Sequence, residues 1–184
     1  MTYYGGRELA ASFRTVRGNT ITIAEEIPES SYHFKVSDDS RTIGQTLAHI
    51  AMVAEFQTHV HQNHFDDLKK VDFRELMQRL GAEESKPRTK AEIIALLKTS
   101  GEKFAAYLED LSESFLAERV ALQAGAEPAS KSRFEMLLTP KEHEMHHRGQ
   151  LMVMQRMIGL TPHLTRQRRE RMAAQAAAAQ PTKR

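Results

Sequence analysis

The sequence contains no cysteine. This excludes disulfides, a thiolate zinc site and a cysteine nucleophile of the protein's own, so any bound metal has to be held by histidine, aspartate or glutamate. It also has no apolar run near the roughly 20 residues of a membrane-spanning helix, and no membrane partner is expected. Met1 to Arg7 lack the apolar core of a signal peptide, from which a cytoplasmic location is expected. No segment alternates polar and apolar residues convincingly enough to read as a strand. An excess of one charge is missing as well: 26 Lys and Arg against 24 Asp and Glu leave a net +2.

What is present is ordinary for a globular domain: 184 residues, 40% hydrophobic and 27% charged, enough to bury a core. The small net charge hides an asymmetry. From His163 onward six basic residues face one acid, Glu170, for +5, whereas residues 1–162 carry −3. A mildly acidic body is a poor nucleic-acid surface, and no nucleic-acid partner is expected. The chain therefore divides into a body, residues 1–162, and a basic, alanine-rich tail, residues 163–184. The tail reads as a solvated extension, part helical or disordered, in preference to a nucleic-acid arm.

The body reads as helices. Leu9, Phe13, Val16, Thr20, Ile23 and Ile27 step by four and three along one stripe, which Pro28 ends. Thr42 with Gln45 forms a capping box for a second helix, on which His49 falls within the inward face. Phe73, Leu76, Met77 and Leu80 suggest a short helix closed by Gly81. Thr89 with Glu92 caps the next, which continues through Ile94, Leu97, Gly101, Phe104 and Leu108. Gly125 to Ser130 reads as a loop. The last long helix runs from about Ser132 to Ile158, continuous but kinked at Pro140, with Gly159 and Pro162 beyond it. These elements predict an all-α four-helix bundle with a short additional helix and a C-terminal extension.

The most informative stretch is His143-Glu144-Met145-His146-His147. His143 and His147 stand one above the other on a helix, the geometry that brings two neutral imidazole nitrogens to one ion. As packing, two adjacent buried imidazoles are hard to explain, because they repel once protonated. His49 alone would read as a core histidine, but beside that pair it becomes the candidate third ligand. Gln150 is placed to hydrogen-bond near a ligand imidazole, and His146 to border the site. Gly149 suggests a close helix crossing, and Arg148 a pair with Glu144 four residues away. His59, His61 and His64 read as a polar, solvated helix end, and His33 and His163 carry no signal.

Two stretches, Thr42 to Ile50 (TIGQTLAHI) and His143 to Leu151 (HEMHHRGQL), with the closing Gly159-Leu160-Thr161-Pro162, resemble the DinB family over about residues 8–162. The resemblance implies a four-helix bundle, usually dimeric, with a divalent metal on His49, His143 and His147. It also implies a thiol S-transferase or isomerase activity on a small molecule, with a low-molecular-weight thiol as partner. Three imidazoles suit zinc, nickel or iron and leave a coordination position open for a thiol or water. Two alternatives stand beside it. One is a non-catalytic, metal-binding or stress-related bundle. The other is a zinc peptidase, since the same segment spells His-Glu-x-x-His with Glu144 as the base.

Overall fold

The computed structural model describes residues 4–179. Met1 to Tyr3, and Pro181, Lys183 and Arg184 of the tail, lie outside them. Among the described residues the order is α1 (Gly6–Glu26), α2 (Ile43–Gln62), α3 (Phe73–Glu84), α4 (Lys90–Glu109), α5 (Glu113–Ala117), β1 (Arg119–Ala121), β2 (Ser130–Ser132), α6 (Arg133–Met157) and α7 (His163–Ala178). Helices α1, α2, α4 and α6 make the bundle. α1 packs along α4, and α2 lies against both α4 and α6.

The expected stripe of α1 is buried: Leu9, Phe13, Val16, Thr20 and Ile23 all face the interior. One half of the core joins Ile23 and Ile27 to Ile43, Leu47 and Ile50 of α2, Leu97 of α4 and Leu151 of α6. The other half packs Phe13 edge-on against Phe104, ring centroids 5.0 Å apart, with Leu108 and Leu137 around them. Each such side chain, once fully buried, contributes about 1.5–3 kcal/mol. Gly6 allows α1 to start close to α4, since a Cβ there would fall 2.4 Å from the Leu108 carbonyl oxygen.

The capping boxes form as the sequence suggests. Gln45 N–H donates to Thr42 Oγ1 at 3.1 Å while Thr42 N–H donates to Gln45 Oε1 at 2.9 Å, and Thr89 with Glu92 repeats the arrangement. α6 is a single helix through Pro140, and its box is Ser132 with Glu135. It closes on Gly159, whose φ of 85° lets Leu160 N–H reach back to the Gln155 carbonyl at 2.7 Å.

Three features depart from the sequence reading. α3 runs through Gly81 to Glu84, and it ends where Ser85 Oγ turns onto the Gly81 and Ala82 carbonyls. The segment before α6 holds a two-stranded antiparallel ribbon, Arg119 opposite Ser132, whose three-residue strands are too short to show alternation. His163, which carries no signal in the sequence, is buried at the start of α7 and donates from Nε2 to Asn19 Oδ1 at 3.1 Å, while from Arg166 onward the helix is exposed, as expected of a partly helical extension. No described helix is long and apolar enough to cross a membrane.

Candidate metal centre

His49 projects from α2, and His143 and His147 project from successive turns of α6. The packing of α2 on α6 brings the three together. His143 Nε2 lies 2.9 Å from His49 Nε2 and 2.9 Å from His147 Nε2. One ligand atom from each lies within 4.8 Å of the others, an arrangement that can hold a metal ion.

The outer nitrogens fix the tautomers. His49 Nδ1 is 2.8 Å from Glu84 Oε2, and a carboxylate only accepts, so Nδ1 carries the proton. His147 Nδ1 likewise donates to Gln150 Oε1 at 2.8 Å. In the neutral rings both Nε2 atoms are then bare lone pairs aimed at His143 Nε2. A single proton on His143 can serve one of them, so at least one pair of facing nitrogens has no hydrogen between them. A cation satisfies all three. Nitrogens about 2.0–2.1 Å from one tetrahedral zinc stand about 3.3 Å apart, so the two pairs that His143 makes need to open by only a few tenths of an ångström.

Burial favours the ligating, neutral form of His143 and His147. It is the largest influence on His147, whose pKa falls to about 4, with the neighbouring His143, His49 and His146 adding to it and the Gln150 bond opposing. Burial, then His49, His146 and Arg41, also lowers the pKa of His143. Burial alone would raise the pKa of Glu84, but its bonds to His49 and Arg41 outweigh that and hold it below the usual carboxylate range. The acid that orients His49 is therefore ionised.

Glu144 stands elsewhere. It is 1% exposed and turned into the bundle core, where Arg17 Nε donates to its two oxygens at 3.0 and 3.1 Å. The other guanidinium nitrogens reach the Leu97 carbonyl at 2.8 Å and the Ile50 carbonyl at 3.2 Å. A glycine is needed at 101, where a Cβ would sit 2.7 Å from Arg17 Cγ. Glu144 is thus neither a base beside the triad nor the partner of Arg148, because its carboxylate is spent on a buried ion pair. That removes the geometric support for the peptidase reading.

Other expectations change too. Gly149 is exposed with nothing within 4 Å of a built Cβ, so it makes no close crossing. His146 is exposed and lies 3.2 Å from the Gln150 amide nitrogen, one step behind His147. His61 is no solvated terminus. It is fully buried, donates to Gln57 Oε1 at 3.1 Å and accepts from Arg133 at 3.0 Å. Burial, then the Arg133 charge, pushes its pKa down to about 4. Glu84, Arg17 and Gly101 were not singled out as functional from sequence. Arg17 did leave a signal, four residues from Phe13 on the apolar stripe of α1.

Comparison with known proteins agrees with this architecture. The DinB family matches over residues 1–182. YjoA of Bacillus subtilis is 26% identical over 156 residues, covering 84% of this chain and 91% of that protein. Its crystal structure, described as DinB-like, superposes with a TM-score of 0.62 at 24% identity, over 84% of this chain and 94% of that one. A DinB-like protein from Bacillus cereus gives 0.64 at 18% identity, covering 84% and 93%. YfiT of Bacillus subtilis, described as a probable metal-dependent hydrolase with an unusual four-helix bundle topology, gives 0.64 at 13% identity, covering 88% and 91%.

Proposed function

The chain belongs to the DinB family, and from that membership and the three convergent imidazoles we propose that it is a divalent-metal-dependent enzyme acting on a small molecule. The observation that carries the reading is the pair of tied Nδ1 protons, which leaves bare Nε2 lone pairs facing a shared point. A metal there supplies Lewis acidity and lowers the pKa of a thiol or water that reaches it. His49, His143 and His147 hold the ion, zinc, nickel or iron. Glu84 and Gln150 hold two of the ligand rings in the orientation that points Nε2 inward.

The group activated is a low-molecular-weight thiol, as the family resemblance implies, or water, as the description of YfiT supports. The protein is proposed to work in the cytoplasm as a homodimer. A single species of monomer mass in sedimentation at micromolar concentration overturns the dimer.

Elemental analysis of tag-free, chelator-free protein tests the metal. About one divalent ion per chain is expected, lost in both His49→Ala and His143→Ala. Loss in His143→Ala alone overturns the three-histidine assignment. A His147→Ala variant that keeps its fold while losing the ion argues against a site whose role is to hold the helices together.

A further inference from the structure

Beside the triad, a cleft of about 490 Å³ opens between α2, α3 and the Pro140 turn of α6. Its walls are Met52, Val53 and Phe56 from α2, and Phe73, Met77 and Leu80 from α3. His49 and His143 border it. Two charged side chains reach it, Arg41 and Glu84, and they are paired with each other at 2.9 Å.

We propose that this cleft takes the body of the substrate, that the body is an uncharged apolar organic group, and that it is carried on a head able to coordinate a metal. The head rests on the metal-dependent reading given above; the apolar body rests on the cleft itself. A charged group entering between these walls loses its hydration and finds Arg41 and Glu84 already engaged. An extended peptide would bring several amides, and the uncharged polar side chains of the walls are too few to replace their hydrogen bonds: Gln57, whose Oε1 already accepts from His61, and Thr139. The Phe56 and Phe73 rings, 5.3 Å apart and tilted by 36°, pack on each other and give the cleft an aromatic wall against which a flat ring or an alkyl chain can lie. Met52 and Met77 are unbranched and polarizable, so the walls adapt to different shapes. The cleft thus selects by polarity and leads its occupant toward the donor nitrogens.

Straight-chain hydroxamic acids test this, since they keep one metal-binding head while the tail grows. They are titrated calorimetrically, from acetohydroxamic to octanohydroxamic acid, into the full-length zinc-loaded protein. Affinity is expected to rise about fourfold for each methylene entering the cleft. The gradient is expected to flatten in Met77→Lys, an exposed position that does not threaten folding, and in Leu80→Gln, with zinc content unchanged. Equal affinity for short and long tails overturns the cleft assignment and leaves the metal reading intact. If the protein takes up neither zinc nor nickel nor iron, the metal reading fails separately, and the neutral dye N-phenyl-1-naphthylamine decides the cleft. Dye fluorescence that rises with the unaltered protein and is lost in Met77→Lys supports it, and no rise overturns it. A dimer that dissociates in Met77→Lys, with no tail-length gradient in the parent protein, makes this wall a contact between copies and also overturns the inference.

Discussion

At the scale of single residues, the site has a face toward the cleft and a back. Glu84 works on the first and Arg17 on the second. Removing Glu84 frees the His49 ring to rotate, so Glu84→Ala is expected to weaken metal binding by about 10–100-fold. Chelator competition measures this, and the melting temperature should move little, because the Glu84 side chain is 24% exposed and outside the core. Arg17→Met is expected to do the opposite. It leaves Glu144 charged and unpaired in the interior and should cost about 3–5 kcal/mol in urea unfolding. Arg17→Lys is no conservative replacement, since the guanidinium serves Glu144 and two backbone carbonyls at once. His61 adds a pH dependence. Its folded pKa of about 4 lies below the ordinary 6.5, so the unfolded chain binds the proton more readily. Stability is therefore full above about pH 6.5 and falls as the pH drops toward 4, by about 3 kcal/mol for this residue. Urea midpoints of the metal-free protein at pH 7 and 4.5 should show that decline, and His61→Gln should make it shallower.

At the scale of elements, what sequence makes legible is what repeats locally. The α1 stripe, the Thr42 and Thr89 boxes and the His143 to His147 spacing all lie within a few residues, and the structure forms each of them. Ser132→Ala removes the comparable box at the start of α6 and is expected to cost about 1 kcal/mol in thermal or urea unfolding. The elements that escape are those decided at a distance. α3 runs past Gly81 because nothing at that position requires a turn, and its end matters to the site only through Glu84, 35 residues from His49. The Arg17 to Glu144 bond spans 127 residues, and the place of Arg17 on the α1 stripe does not say which residue it meets. His61 looked solvated because it sits near the end of α2, whereas Arg133, 72 residues later, closes over it.

At the scale of the whole molecule, the bundle and the tail answer to different forces. α7 is held by His163 and by the ion pair of Arg166 with Glu26, and the residues that follow Arg166 are exposed. A chain ended at Arg166 should keep its metal content and lose no more than about 0.5 kcal/mol, read by thermal melting. The bundle has no such detachable part. Arg17 of α1 bonds to α2, α4 and α6 at one buried point, directly behind the residues that follow His49 and His143. Gly101→Ala would press a methyl against that side chain at a cost of about 1–3 kcal/mol.

The arrangement of Gly101, Arg17 and Glu144 also bears on descent. No one of the three can be exchanged alone without stranding a buried charge or filling the space the guanidinium occupies. Lineages of this fold should therefore inherit the three as a single character, kept together or replaced together.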